Sequence, residues 1–226
     1  ITPAISLPAT GAARAAVEAA SAAGLTVSCD LNFRKKLWNW QPGTGTVDLA
    51  RETMRGLMPF INVVIANEED CDLCLGIQAG ETDVEAGHLN VAAYESVARQ
   101  IVSEFPNVNT VAITLRESLS ASHNNWGAML LDASSDAAHF APLNDRGEYQ
   151  PYEIHNIVDR VGAGDSFAGG LIFALTTPEL AAPETALRYA TAASCLKHSI
   201  KGDFSYAERS EIEALMGGAT SGRVSR

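Results

Sequence analysis

Residues 159–165 read Asp-Arg-Val-Gly-Ala-Gly-Asp and run into Ser-Phe-Ala-Gly-Gly-Leu-Ile-Phe-Ala-Leu. Gly162 and Gly164 suit a backbone that turns sharply and approaches a ligand closely, where side chains would stand in the way. A helix starting here offers unpaired N–H groups and the positive end of its dipole to an anion such as phosphate. Asp165 stands at the same point, where a carboxylate can cap the helix or take a proton from a substrate hydroxyl. Gly169 and Gly170 lie farther in, where they lower helix propensity and point to close packing. The chain contains no G-x-x-x-x-G-K-S/T segment, which excludes a P-loop. The pair Gly162 and Gly164 also lacks the third glycine of a dinucleotide fingerprint.

Three further polar clusters can do chemistry. Residues 30–36 read Asp-Leu-Asn-Phe-Arg-Lys-Lys and hold the one run of three basic residues in the chain. Arg34 can grip a carboxylate or phosphate with a forked pair of hydrogen bonds, although a solvated turn would use the same residues. In Asn67-Glu68-Glu69-Asp70, oxygen ligands can order water around Mg²⁺, or can cap a following helix. Taken alone, capping is the stronger reading. Thr114-Leu115-Arg116-Glu117-Ser118 offers a hydroxyl and a guanidinium.

These clusters need elements to carry them, and periodicity supplies an alternation of strands and helices. Strands are predicted at 25–31, 61–66, 108–115, 128–132 and 154–158. Helices are predicted at 8–23, 47–58, 68–75, about 88–105, 164–175, 184–198 and near 207–216. Residues 124–127, Asn-Asn-Trp-Gly, read as a turn between short strands. Residues 82–90 and 143–151 read as loops, and 217–226 as a frayed tail. Continuous apolar strands alternating with helices predict a mostly parallel sheet covered on both faces, a three-layer α/β/α domain over 1–216. All four clusters are expected just after the carboxyl ends of parallel strands, the edge where open α/β sheets bind ligands. One shared site explains that placement better than four unrelated caps.

Composition narrows the function classes. The chain has 226 residues, 46% hydrophobic and 19% charged, which is enough for a sizeable core and excludes wholesale disorder. Its 16 basic against 27 acidic residues leave a net charge of −11, so nucleic acid and anionic membranes are not expected partners. No apolar run reaches the ~18–20 residues of a membrane span. Four scattered cysteines, two of them spaced as Cys71 and Cys74, read as reduced helix thiols rather than a disulfide framework or a metal site. That implies a cytoplasmic protein.

Together, the segments CDLNFRKKLW, NEED, TLRES, DRVGAGDSF and KHSIKGDF resemble the ribokinase-like (PfkB) carbohydrate kinases, and within them the 2-keto-3-deoxygluconate kinases. The resemblance runs from Ile1 to about Met216. It implies a ribokinase-like fold and ATP-dependent phosphorylation of a sugar or sugar-acid hydroxyl, with Mg²⁺ and in several relatives K⁺. Asp165 would be the catalytic base and would also meet the sugar hydroxyl. The N–H groups of Gly162, Ala163 and Gly164 would cradle the transferred phosphoryl group. Arg34 would bind the acid substrate. Asn67 and Asp70 would order the Mg²⁺ waters, with Asn67, Thr114 and Arg116 facing the nucleotide. The adenine would lie near residues 193–202, with Lys197 and Gly202 beside the nucleotide, and Asp159 would serve a monovalent cation.

The chain departs from that pattern at named positions. Asp70 stands where the family has glutamate, Arg160 where threonine is common, and Thr191 where ribokinases often carry asparagine. The resemblance further implies roughly a hundred residues before Ile1, within the usual size of one domain. Those residues would hold the first strands, the lid and part of the sugar pocket, so the chain is expected to be incomplete at its N-terminus. Self-association into a homo-oligomer would follow from a strand edge left open. The alternatives are a neutral-sugar kinase for ribose or fructose, a non-catalytic nucleotide-binding remnant and, disfavoured by the glycine spacing, a dinucleotide-dependent oxidoreductase.

Overall fold

The computed structural model describes residues 1–78, 91–120 and 122–218. They divide into two compact units, Ile1–Ile113 with Leu131–Ala138, and Thr114–Leu130 with His139–Arg226. Among the described residues, no helix is long and apolar enough to cross a membrane.

The first unit begins with α1 (Thr2–Ile5) and α2 (Leu7–Ala22). Ser6 caps α2 by accepting the Ala9 N–H at 3.2 Å, and Gly24 ends the segment at φ +71°. No residue of α2 is buried, so alanine's intrinsic helix propensity accounts for much of its order. Strand β1 (Ser28–Asp30) follows, then α3 (Thr46–Leu57), a 3₁₀ turn at Met58–Phe60, β2 (Val63–Asn67), α4 (Glu68–Leu75) and α5 (Val91–Glu104). Leu49, Ala50, Met54 and Leu57 form the buried stripe of α3. Val63 to Ala66 are buried without alternation, as expected of a strand covered on both faces.

Strands β1 and β2 are parallel, with Ser28 opposite Val63 and Asp30 opposite Ile65. The predicted strand at 25–31 shortens to three residues because its partner begins only at Val63. Val27 bonds instead to Asn62, giving its N–H to Oδ1 at 2.9 Å and accepting the Asn62 N–H at 2.8 Å.

Strand β3 (Thr110–Ser118) runs three residues past its predicted end. It leads to β4 (Asn124–Asp132), β5 (Ala137–Ala141) and β6 (Tyr152–Ile154), and then to α6 (Ala163–Leu175), α7 (Pro183–Lys197) and α8 (Arg209–Met216). Strand order is β1-β2-β3-β4-β5, with β6 antiparallel beside β4. The sheet is therefore mixed, and the α/β reading holds.

Three local expectations are corrected. Residues 124–127 are not a turn but the first half of β4, with Asn124 fully buried and Trp126 5% exposed. Gly127 sits there because a side chain would collide with the Tyr149 ring and hydroxyl and approach the Ala141 carbonyl. Strand β5 was not predicted, since its Ala-Ala-His-Phe-Ala has weak strand propensity. The link before it is built by Asp132, which accepts from the Ser134 N–H and the hydroxyls of Ser134 and Ser135. The strand expected at 154–158 lies at 152–154 instead. Beyond it, the Ile157 N–H turns to the Ser122 carbonyl and the Val158 N–H to the His198 carbonyl.

The predicted loop at 143–151 holds, with one isolated bridge between Leu143 and Tyr149. The loop at 82–90, the first residues of the helix expected at 88–105, and the tail from 219 onward lie outside the described residues.

Candidate active site

In the second unit, the backbone of Gly162 stands at φ +78° and forms the N-cap of α6. A side chain at Gly162 would meet the Asp203 carbonyl oxygen and come within 3.2 Å of Lys197 Cε, so conformation and space both demand glycine. At Gly164 and Gly169, by contrast, a Cβ would find nothing within 4 Å. Those two glycines keep space open rather than fill a contact. Gly170 does the packing, because its Cβ would lie 3.2 Å from Ala190 Cα and from Ala193 Cβ on α7. Ser194 of α7 also donates its hydroxyl to the Ala163 carbonyl at 2.7 Å, fixing the start of α6.

Among the described residues no side chain caps α6, so its first-turn amides have no side-chain acceptor. Asp165, in that first turn, is exposed, and among the described residues no group hydrogen-bonds its carboxylate. Gly162, Asp165, Ser166 and Gly169 line one wall of a cavity of about 630 Å³. Tyr189 and Ala193 of α7 line another, and Asp203, Phe204 and Arg209 close it. Phe204 is 75% exposed, a large ring held out at the cavity edge.

The loop into α6 is tied by its own residues. Asp159 Oδ1 accepts the Val161 N–H at 3.0 Å and Oδ2 the Gly202 N–H at 2.9 Å, and these bonds hold its carboxyl below the usual range. Arg160 donates to the Ser120 carbonyl at 3.0 Å and to Asn124 Oδ1 at 3.2 Å. Lys197 is buried and gives its ammonium to the Ile200 carbonyl at 3.0 Å. His198 is buried edge-on to Trp126, with Nδ1 2.9 Å from the Ser194 carbonyl. Burial lowers the pKa of His198, and the nearby charges of Arg160, Lys197 and Arg116 lower it further. A chain of net charge −11 thus gathers three cations around His198.

In the first unit, Asn67 is the N-cap of α4, its Oδ1 accepting the Asp70 N–H at 2.7 Å. Asp70 is buried and accepts the Phe33 N–H at 2.9 Å, which ties the loop after β1 to α4. Burial raises the Asp70 pKa, and its two backbone hydrogen bonds work against the rise. Arg34 is exposed on that loop, and Asn32 beside it holds φ +37°. Here the structure does bring two sequence clusters together, 30–36 and 67–70.

The strand-end rule holds for these two clusters and not for the others. Thr114 and Arg116 lie within β3 rather than after it. The glycine loop follows β6, which is antiparallel to β4, and seven residues outside any strand separate β6 from Gly162. Sequence reasoning also missed Ser194, His198, Tyr189 and Phe204. Ser194 and Tyr189 lie on a helix that reads as plain core, and only the segment 197–204 carried a signal.

Residues 122–205 match the profile of pfkB family carbohydrate kinases. The chain is 29% identical over 222 residues to a 2-dehydro-3-deoxygalactonokinase of Haloferax volcanii, covering 98% of this chain and 57% of that one. It is 41% identical to the crystallised 2-dehydro-3-deoxygluconokinase of Thermotoga maritima, with a TM-score of 0.76 over 92% of this chain and 55% of that one. A PfkB family carbohydrate kinase of Listeria grayi shares the fold at a TM-score of 0.76 and 24% identity, with 96% of this chain and 57% of that one covered. The chain spans a little over half the length of these relatives. The glycine loop lies inside the region that matches the pfkB family of carbohydrate kinases, and the fold is shared with the Thermotoga maritima enzyme over nearly the whole of this chain.

Proposed function

We propose that this chain carries the phosphoryl-transfer machinery of an ATP-dependent kinase acting on a hydroxyl of a sugar acid of the 2-keto-3-deoxygluconate type. The observation that carries the reading is the uncapped N-terminus of α6, with Gly162 at φ +78° and the unpartnered Asp165 carboxylate facing the same cavity. Free amides at a helix N-terminus match the charge of a phosphoryl group. The carboxylate behind them is placed to take the proton of an attacking hydroxyl. An aspartate is a weak base, and this suffices where the transition state is loose and positioning dominates. The cations Arg116, Arg160 and Lys197 supply the field that polyphosphate needs.

Arg34 is the acid-substrate anchor in this reading. It is exposed, and the two relatives at 29% and 41% identity carry sugar-acid names. Mg²⁺ would sit near Asn67 and Asp70, and both residues fit. A metal-bound water needs an acceptor, and Asn67 Oδ1 keeps a second lone pair while the Asp70 carboxylate has lone pairs beyond its two backbone hydrogen bonds. ATP, Mg²⁺ and an alkali cation near Asp159 belong to the same proposal. Thr114, Gly202 and Lys197 are its further nucleotide contacts.

Incubating the protein that contains this chain, at the full length of its relatives, with ATP, Mg²⁺ and 2-keto-3-deoxygluconate should release ADP and a phosphorylated sugar acid. Ribose and fructose should give far less product. ADP release independent of any sugar, or preference for a neutral sugar, would overturn the substrate assignment.

A further inference from the structure

The antiparallel register of β4 and β6 pairs Asn124 with Ile154 and Asn125 with Glu153. One step farther out, His123 faces His155. Because side chains alternate along a strand, Glu153 and His155 share a face, and His123 comes to it from the opposite strand. The contacts bear this out. The His123 and His155 ring centroids lie 4.3 Å apart, Glu153 Oε2 lies 3.2 Å from His155 Nε2, and one ligand atom from each residue falls within 4.8 Å of the others. His123 Nε2 is shut off from solvent and has no hydrogen-bond partner among the described residues. The Glu153–His155 contact and the ring contact leave that nitrogen unexplained.

We propose that His123, Glu153 and His155 form a binding site for a divalent transition metal of the zinc class. Two imidazoles and one carboxylate are a borderline donor set that suits zinc and its neighbours and does not suit Mg²⁺. Tetrahedral ligand atoms about 2.1 Å from zinc lie roughly 3.4 Å from one another. Glu153 and His155 are exposed, so small rotations close the remaining gap. Three protein ligands leave the fourth position open for water or an incoming donor. The ion would also brace the approach to the glycine loop. His155 stands four residues before Asp159, and the neighbouring Ser122 carbonyl already accepts the Ile157 N–H at 3.3 Å. The site is separate from the cavity beside Asp165, among whose lining residues none of the three occurs.

Calorimetric titration of the metal-stripped 226-residue chain with Zn²⁺ tests the assignment. One equivalent should bind, with no competition from millimolar Mg²⁺. His155→Ala should weaken binding by roughly tenfold or more, and Glu153→Gln by a smaller factor. Both positions are exposed, and circular dichroism checks that the variants stay folded. Co²⁺ should give a visible absorption band that either substitution diminishes. Absence of stoichiometric zinc in the wild-type chain would overturn the proposal. So would variants that bind zinc as tightly as the wild type, because the ion would then sit elsewhere, on the thiols for instance.

Discussion

Asp165 and Arg34 divide the proposed chemistry between them at the level of single side chains. Replacing Asp165 by Asn keeps the shape at the start of α6 but removes the proton acceptor. Loss of a general base costs ~10²–10⁴-fold in rate, so Asp165→Asn should cut kcat by at least about a hundredfold. Nucleotide affinity, measured by fluorescence titration, should stay within a few-fold. A variant that keeps more than about a tenth of wild-type kcat removes Asp165 from the base role. Arg34→Lys keeps the charge and loses the planar fork. The KM for a sugar acid should therefore rise much more than the KM for a neutral sugar. Equal changes for both would take the acid anchor away from Arg34.

Each unit has a helix start among its candidate site residues, and the two starts are built differently. Helix α4 is capped by Asn67, while α6 has no side-chain cap among the described residues. A capped terminus has already satisfied a backbone donor, whereas an uncapped one keeps its donors for a ligand. Asn67→Ala should cost about 1 kcal/mol through loss of the cap, a drop of roughly 2–4 °C in Tm for a chain of this size. Asn67→Asp keeps a capping oxygen and should hold the Tm close to wild type. If thermal unfolding shows the two variants falling equally, the cap is not what Asn67 contributes to stability. The start of α6 depends instead on α7, through Ser194 on the Ala163 carbonyl and the close approach at Gly170.

The stability of the whole molecule should follow the titration of His198. Burial keeps its folded-state pKa below the ordinary histidine value of about 6.5. Between those two values the unfolded chain binds a proton that the folded chain refuses. The stabilisation is therefore complete above about pH 6.5 and is lost as the pH falls toward the folded value. Because Nδ1 meets a carbonyl, it carries the proton of the neutral ring. His198→Gln keeps a donor for the Ser194 carbonyl and cannot titrate. Its Tm should fall less steeply than the wild-type Tm between pH 7.5 and 5. Parallel slopes for the two proteins would show that another group sets the acid sensitivity.

The sequence by itself determined what depends on near neighbours along the chain. It placed α4 over Glu68–Leu75, put α6, α7 and α8 within two residues of their bounds, and marked the turn at Gly162 and the carboxylate at Asp165. Capping, helix periodicity and glycine's freedom at positive φ are short-range effects, so a short window of residues suffices to see them. Tertiary structure alone decided the rest. Asn-Asn-Trp-Gly at 124–127 has turn chemistry, yet it lies in β4 because Trp126 and Asn124 are buried and meet partners far away in the chain, His198 and Arg160. Strand β6 stops at Ile154 because the residues after it spend their N–H groups on Ser122 and His198. Strand register and pairing depend on partners dozens of residues distant, and no local pattern encodes where those partners stand. The same register put His123 opposite His155, a juxtaposition that the linear sequence leaves 32 positions apart.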